Sequence, residues 1–208
     1  MAVITTASCA YAQPPKLLET VEFRAQSLDA LPRWVSVLEK VKLERPEYEL
    51  CATNIEACPL SAMAGWQDKI KSLQGKPLSQ QLAAINEYAN AYPYRNDIDI
   101  WGLSDYWASP KEFLGRSGDC EDYSILKFFS LRALGLSNDQ LRLVVVQDTV
   151  RNIAHAVLAV YDGSQVYILD SLFSAVLKQE FVKQYKPYYS VNETTRWAHL
   201  VPRVTPRR

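Results

Sequence analysis

Apolar residues in the first part of the chain recur at the spacing of a helix. Three segments show this period, namely 27–46, 59–74 and 78–92. In the first of them Trp34, Leu38 and Val41 fall at helical spacing. A segment rich in Tyr, Asn and Asp follows over 91–110. The pattern therefore predicts three helices and then a long loop.

A fourth helix is predicted to begin at Asp119, because aspartate is a good N-cap residue. Asp122, three positions later, completes an acidic form of the capping box. Cys120 is therefore the first residue of this helix. The body over 125–134 is apolar on nearly all sides, so the helix is expected to be buried and to end at Gly135.

After the fourth helix the apolar pattern changes to a period of two, which is typical of strands. Strands are predicted over 141–149, 153–161 and 165–170, with further strand-like segments over 185–191 and 196–202. Asp162-Gly163 predicts a two-residue hairpin turn between the second and third strands. Helices followed by an antiparallel sheet, with one central buried helix packed on it, indicate an α+β fold.

The composition limits the size of the protein and its partners. The chain has 208 residues, 48% of them apolar, which suits one domain with a substantial core. Its 23 basic and 23 acidic residues cancel, which argues against bulk binding to nucleic acid or an anionic membrane. No stretch approaches the roughly 18 continuous apolar residues of a membrane span.

The N-terminus contains the A-x-A pattern of a signal-peptidase site at Ala10-Tyr11-Ala12, although the usual basic and long apolar regions before it are missing. Residues 1–12 are therefore interpreted as the shortened leader of an exported, periplasmic protein, and residues 13–208 as a single domain. The alternative is a cytosolic leader.

The cysteines favour the same compartment. Removal of 1–12 would remove Cys9, and in an oxidising compartment Cys51 and Cys58 can pair across a short polar loop. Loop entropy would then contribute about 2.5 kcal/mol. The alternative is two unpaired thiols, while the wide spacing and the lack of a nearby histidine disfavour zinc. Cys120 would be the one free thiol.

A catalytic thiol needs a base, and the chain has two histidines. If the turn is Asp162-Gly163, His155 and Asp170 stand directly opposite each other with Cβ atoms about 5 Å apart; a four-residue loop would make them diagonal. Cys120 at a helix N-terminus would be the nucleophile, His155 its base and Asp170 the group that orients the imidazole. The alternatives are an inert buried cysteine and a core histidine.

Three other residues are interpreted as structural. His199 has no predicted partner and is assigned to a strand or a sheet edge. An acyl-transfer site also needs donors for an oxyanion, for which the Cys120 backbone N–H is a candidate. Asn96 and Trp107 are further candidates, but a structural role is favoured for both.

The segment SGDCEDYSILKFFSLRALGL, with AHAVLAVY and ILDSL later in the chain, resembles the bacterial transglutaminase-like cysteine peptidases, and among them the LapG-type periplasmic proteases that cut surface adhesins. The resemblance covers about residues 30–200. It implies a papain/transglutaminase-like fold with a Cys-His-Asp triad, carried here by Cys120, His155 and Asp170.

The resemblance also implies a calcium ion beside the nucleophile, held by Asp119, Glu121 and Asp122. Hard carboxylates close together suit Ca²⁺, and a cation there would offset the negative charge that disfavours a thiolate at Cys120. The alternative is that Asp119 only caps the helix and the other two acids only occupy its favourable first turn.

The implied function is a periplasmic cysteine endopeptidase that acts through a thioester. Its implied substrate is the N-terminal region of a large surface adhesin, and its implied partner is an inner-membrane cyclic-di-GMP receptor that controls biofilm release. One alternative is a transglutaminase or amidase with the same triad. The other is a peptide-binding module in which the triad has no catalytic role.

Overall fold

Six α-helices and seven strands make up the part of the chain that the computed structural model describes, residues 15–202. The helices are α1 (Pro32–Thr53), α2 (Ser61–Leu73), α3 (Leu78–Asn90), α4 (Asp97–Trp101), α5 (Pro110–Arg116) and α6 (Cys120–Ala133). The strands are β1 (Val21–Ala25), β2 (Leu141–Asp148), β3 (Ile153–Asp162), β4 (Gln165–Leu169), β5 (Leu177–Lys178), β6 (Tyr185–Val191) and β7 (Arg196–Leu200). The proposed leader, 1–12, lies outside the described residues.

The first helix differs from the predicted 27–46 segment at both ends. It begins at Pro32, where the missing N–H costs nothing, and it continues past Pro46. A proline inside a helix removes one backbone hydrogen bond. Trp34 and Cys51, on either side of it, are both buried in the core, so tertiary packing maintains the helix past the proline. The helices α2 and α3 lie within the predicted segments, whereas α4 lies in the segment predicted as a loop.

The strands form one antiparallel sheet in the order β1-β7-β6-β2-β3-β4-β5. Helix α6 lies against β2 and β3, and α3 and α5 pack against α6. The main core is on this side, and a separate, smaller apolar cluster contains Leu17, Val157 and Ile168. The α+β arrangement with a central buried helix is confirmed.

The hairpin between β3 and β4 is present, but its turn is one residue later than predicted. Asp162 pairs with Gln165, so the two turn residues are Gly163 and Ser164. Gly163 has φ +57°, a conformation that glycine adopts without steric cost. The location of the turn is therefore set by the residue that needs a positive φ. The register of the two strands changes with the location of the turn.

Cys51 and Cys58 form a disulfide, as expected for an oxidising compartment. The bond joins the last turn of α1 to the short 3₁₀ turn that follows it. Cys51 is buried in the core, so the bond also anchors the end of the helix beyond Pro46. Within residues 15–202, no helix has both the length and the hydropathy needed to cross a membrane.

Replacement of both Cys51 and Cys58 by alanine is expected to lower the free energy of unfolding by about 2.5 kcal/mol, because the unfolded chain regains the entropy of an open loop. Urea denaturation of the oxidised wild type and of the double variant measures the difference. Reduced wild-type protein is the control and should approach the variant. Equal midpoints for all three would show that the crosslink does not stabilise the fold.

Candidate active site

Cys120 is the first residue of α6, as its cap predicted. The backbone N–H of Asp119 donates to Asp122 Oδ2 at 3.3 Å, which forms the acidic capping box. Beyond it, all residues from Asp122 to Leu131 are buried. The helix ends as expected, with Gly135 at φ +100° and the Leu136 N–H bonded to the Leu131 carbonyl. The capping residues at the two ends of the helix thus place the thiol at the positive end of a buried helix.

The turn that leads into Cys120 is tightly constrained. Ser117 has φ +65° and ψ −168°, a combination that residues other than glycine rarely adopt. Gly118 follows, and a Cβ at this position would lie 2.0 Å from Asp122 Oδ2. The Gly118 carbonyl accepts from the Arg95 N–H. The glycine of the GDC segment is therefore required by the close approach of the Asp122 carboxylate.

His155 and Asp170 form a direct side-chain hydrogen bond, with Nε2 and Oδ1 2.8 Å apart. The prediction that they stand directly opposite each other is wrong, because β4 ends at Leu169 and the hairpin register is shifted. Moving the turn by one residue moves each partner by two positions. This keeps Asp170 on the face of the sheet expected for contact with His155, and makes the two residues a diagonal pair.

Asp170 is held from several directions. Tyr185 donates its hydroxyl to Oδ2, and the Leu172 N–H donates to Oδ1 at 3.0 Å. Burial opposes ionisation of this carboxyl, but the hydrogen bonds from His155 and Tyr185 outweigh burial and hold the pKa of Asp170 below its usual value. Asp170 is therefore an ionised acceptor. Sequence reasoning did not identify Tyr185, which lies on β6, a strand predicted without any link to the site.

Cys120 lies beside the strand that carries the imidazole. Burial, followed by the negative charges of Glu121 and Asp119, raises the pKa of Cys120, whereas a hydrogen bond from the Ala156 backbone N–H opposes this rise. Ala156 is adjacent to His155 on β3. The thiol itself donates to Glu121 Oε2 at 3.2 Å. With the acids alone around it, the sulfur is therefore strongly held in its protonated form.

Five carboxylates converge next to the thiol. The expected residues Asp119, Glu121 and Asp122 are joined by Asp97, at the start of α4, and by Asp105. The structure groups them as Asp97, Asp105 and Glu121, and as Asp97, Asp119 and Asp122. The two additional acids lie in the segment NDIDIWGLSDYW. The aspartates of this segment were the feature of the sequence that could have suggested further metal ligands. Only the tertiary fold shows that they meet the α6 acids.

The electrostatics of the cluster favour a positive counter-charge. Burial raises the pKa of Asp119, Asp122 and Asp97, and the neighbouring acids add to the rise for each of them. Among the described residues, the buried oxygens Asp97 Oδ1 and Asp119 Oδ1 have no hydrogen-bond partner. Buried, unpaired carboxylate oxygens are costly unless a cation binds them.

The cluster fits a calcium ion. In each group the candidate ligand atoms lie within 4.8 Å of one another. Calcium binds carboxylate oxygens at about 2.3–2.6 Å, so two ligands of one ion can be about 5 Å apart. Hard oxygen donors with a large negative charge are the set that Ca²⁺ prefers. Asp122 also has a structural role, since Oδ1 accepts from the Ala108 N–H at 2.7 Å.

Two of the residues interpreted as structural, His199 and Trp107, lie outside this constellation. His199 is buried on β7, where its Nδ1 pairs with Thr20 Oγ1 and its Nε2 with Ser190 Oγ, both at 2.8 Å. Burial lowers the pKa of His199 to about 4. Trp107 is buried and packs edge-on against Trp34. Both assignments agree with the structure, and no oxyanion donor beyond the Cys120 N–H is assigned.

Comparisons with known proteins identify the family of this chain. Residues 45–204 match the family model described as bacterial transglutaminase-like cysteine proteinase, BTLCP. Calcium-bound LapG from Legionella pneumophila is similar, with a TM-score of 0.61 and 41% identity over 66% of this chain and 78% of that chain. Another LapG structure from this organism has a TM-score of 0.64 and 36% identity over 73% and 87% of the two chains.

An EGTA-treated form of Legionella pneumophila LapG is also similar, with a TM-score of 0.65 and 37% identity over 74% of this chain and 86% of that chain. A comparison with curated protein sequences gives no match. The family match covers well over half of the chain, and the LapG structures share its transglutaminase-like fold. The chain therefore belongs to the bacterial transglutaminase-like cysteine proteinases and is a cysteine peptidase.

Proposed function

We propose that the protein is a calcium-dependent cysteine endopeptidase whose triad is Cys120, His155 and Asp170. The observation that carries this proposal is the buried His155–Asp170 hydrogen bond on the strand beside the Cys120 sulfur. A nucleophile, a base and a group that orients the base are the three parts that acyl transfer requires.

The hydrogen bond to Asp170 determines which ring nitrogen acts as the base. An ionised carboxylate only accepts, so Nε2 must carry the proton that bonds to Asp170. In the neutral ring Nδ1 is then free to accept the Cys120 proton. The ionised Asp170 stabilises the imidazolium that results.

In one cycle, Nδ1 of His155 takes up and releases a proton twice. The sulfur of Cys120 forms a bond to the peptide carbonyl carbon while Nδ1 of His155 holds the thiol proton. The C–N bond then breaks, the proton passes to the leaving amine, and an acyl thioester remains on Cys120. Water adds to the thioester with His155 as base, and collapse releases the new carboxyl terminus and the thiolate, which recovers its proton. The Cys120 backbone N–H, at the helix N-terminus, is proposed to stabilise the oxyanion.

The ligands proposed for calcium are Asp119, Glu121 and Asp122, extended by Asp97 and Asp105. Calcium, when bound, would supply positive charge beside the sulfur. Glu121 would then serve as a ligand instead of accepting from the thiol. The calcium-bound and EGTA-treated forms of the similar LapG protein support this part of the proposal.

The biological setting is proposed from the same similarity. We propose that the substrate is the N-terminal region of a large surface adhesin, and that the partner is an inner-membrane cyclic-di-GMP receptor controlling biofilm release. The Cys51–Cys58 disulfide supports an oxidising compartment, for which we propose the periplasm.

Hydrolysis and acyl transfer to an amine use the same triad and are separated by their products. A peptide library is incubated with the calcium-loaded protein in H₂¹⁸O containing a fluorescent primary amine. We expect new C-termini that carry ¹⁸O and new free N-termini, identified by mass spectrometry. Amine adducts without ¹⁸O-labelled termini would identify a transglutaminase, and an absence of both products would favour a peptide-binding module.

A further inference from the structure

Lys40, on α1, is bonded to the segment 105–109, which lies beside the acidic cluster. Its Nζ donates to the Trp107 carbonyl at 2.7 Å, to Glu112 Oε2 at 2.8 Å and to the Tyr106 hydroxyl at 3.0 Å. An ammonium has three N–H donors, so these three acceptors use all of them. The side chain is 20% exposed. Lys40 is therefore a fully hydrogen-bonded and largely enclosed cation.

Both members of the ion pair Lys40–Glu112 are charged. Burial on its own would lower the pKa of Lys40, but the hydrogen bonds to Glu112 and Tyr106 outweigh burial and raise that pKa. Burial on its own would raise the pKa of Glu112, but the hydrogen bonds from Lys40 and Tyr106 outweigh burial and lower that pKa. The ammonium therefore persists at neutral pH, and a full positive charge acts on the Trp107 carbonyl.

One peptide group links Lys40 to the acidic cluster. The carbonyl of Trp107 and the N–H of Ala108 belong to the same peptide group. The carbonyl accepts from Lys40, and the N–H donates to Asp122 Oδ1 at 2.7 Å. An ammonium on the oxygen polarises the peptide group and strengthens the hydrogen bond that its N–H donates on the other side. The position of Asp122 is thus tied to Lys40 through two successive hydrogen bonds.

The same segment also contacts the acid that opens α4. The Tyr106 N–H donates to Asp97 Oδ2, while the Tyr106 hydroxyl is bonded to Lys40. The other oxygen, Asp97 Oδ1, is buried and has no hydrogen-bond partner in the described part of the chain. Asp97 and Asp122 belong to one group of the acidic cluster. One ammonium thus supports both of the backbone N–H groups that orient these two acids.

We propose that Lys40 is a positioning residue for calcium, whose ammonium holds the segment 105–109 against α1. The backbone N–H groups of this segment then keep the carboxylates of Asp97 and Asp122 oriented for the ion. This inference rests on the proposed calcium site and adds a residue outside the set of ligands. Lys40 contacts neither the ion nor the substrate, and its effect passes through the backbone to the carboxylates.

Lys40→Met and Lys111→Met form a matched pair for the test. The Lys111 ammonium also joins α5 to α1, by an ion pair with Glu47 at 2.6 Å, and within residues 15–202 it has no hydrogen bond to the segment 105–109. In calorimetry, Lys40→Met should raise the Kd for Ca²⁺ at least about tenfold, because partners that orient metal ligands commonly contribute this much. Lys111→Met should change the Kd less than about threefold.

Both variants lose one positive charge, so a general electrostatic effect on calcium would appear in both. A Kd for Lys40→Met equal to that of the parent protein or of Lys111→Met would overturn the proposal.

A double variant separates the hydrogen bond to the carbonyl from the ion pair. Lys40→Met alone leaves the Glu112 carboxylate without its cation, which lowers stability. Lys40→Met/Glu112→Gln removes both charges, and glutamine can accept from the Ser109 N–H and donate to the Tyr106 hydroxyl. Its melting temperature should exceed that of Lys40→Met, whereas its Kd for Ca²⁺ should stay at least about tenfold above the parent value. A Kd that returns to the parent value would show that the ion pair alone matters, and would overturn the proposal.

A spectroscopic measurement without calcium tests the positioning itself. In spectra of protein with ¹⁵N-labelled alanine, Lys40→Met should move the Ala108 amide proton upfield more than any other alanine amide, because its hydrogen bond to Asp122 weakens. An unmoved Ala108 signal in the folded variant would overturn the proposal. In the parent protein, the Ala108 amide should exchange with solvent far more slowly than an exposed amide. Rapid exchange there would overturn the proposal whether or not Lys40→Met folds.

The parent protein, titrated in the same series, separates this inference from the proposed function. If the parent binds no calcium, the proposed calcium dependence fails and the role of Lys40 fails with it. If the parent binds calcium and needs it for cleavage, but Lys40→Met binds it equally well, only the inference about Lys40 fails.

Discussion

Cys120→Ala leaves no measurable peptide cleavage, a loss of at least about a thousandfold, and the protein keeps its fold. The variant removes the sulfur that would form the thioester, whereas the backbone N–H and the cap of α6 stay in place. Alanine is a good helix former at this half-buried position. Mass spectrometry of products under calcium saturation measures the activity, and the melting temperature reports the fold. Cleavage at the wild-type rate would contradict the role of Cys120 as nucleophile.

The two histidines provide a matched control for this result. His155→Gln should show the same loss as Cys120→Ala, because no base remains to take the thiol proton. His199→Gln should keep its activity per folded molecule, although its melting temperature should fall, because Thr20 and Ser190 lose a buried partner. Equal activities of the two histidine variants would contradict the assignment of His155 as the base.

The features that the sequence predicted well are those that depend on neighbouring residues. The start of α6 follows from Asp119 and Asp122, and its end follows from Gly135. The strands β2 and β3 follow from a period of two that is visible along the chain. Helix caps and side-chain periodicity are local properties, so one segment contains the information that determines them.

The contact between His155 and Asp170 was predicted from the correct side-chain face but from the wrong strand register. The turn lies at Gly163-Ser164, so the strands are not in the register that places the two residues opposite each other. The contact is preserved because a shift of the turn by one residue changes each pairing by two positions, which leaves both side chains on the same face. The side-chain face was therefore predictable from parity, whereas the register depended on one residue of the turn.

The full acidic cluster was not predictable, because its members come from two separate segments. Asp97 opens α4 and accepts from the Tyr106 N–H, so its position depends on a short helix that the sequence pattern did not indicate. Convergence of distant segments is decided by packing, and packing is not encoded in a local period.

Removal of calcium with EGTA is expected to abolish cleavage, and added Ca²⁺ should restore it. Without a cation, burial and then the neighbouring acids raise the pKa of Cys120, and a thiol held in its protonated form is a poor nucleophile. Calcium at 100 times its Kd should also stabilise the folded state by about 2.7 kcal/mol, which raises the melting temperature by about 5–10 °C in a chain of this size. Full activity in EGTA would remove calcium from the mechanism.

Asp97→Asn and Asp99→Asn test whether the ion uses the additional acid of α4. Asp97 is buried and belongs to the cluster, whereas Asp99 is exposed, lies two residues later and pairs with Asn96. Asp97→Asn should weaken calcium binding at least about tenfold in calorimetry, because a charged ligand becomes neutral. Asp99→Asn should change it less than about threefold. Equal affinities for the two variants would exclude Asp97 as a ligand.

Asp97→Asn should have opposite effects on the melting temperature with and without the ion, and Asp99→Asn is the control. The pKa of Asp97 is raised by burial and then by Asp105, so at neutral pH its ionised form destabilises the calcium-free fold. This destabilisation declines once the pH falls below the raised pKa and is lost below the ordinary pKa of an aspartate. Asp97→Asn removes that charge and should raise the calcium-free melting temperature by about 2 °C or more. With saturating calcium, the melting temperature of Asp97→Asn should rise less than that of the wild type, because fewer charges bind the cation. A lower calcium-free melting temperature for Asp97→Asn than for Asp99→Asn would contradict the proposal that the cluster carries negative charge that a metal ion balances.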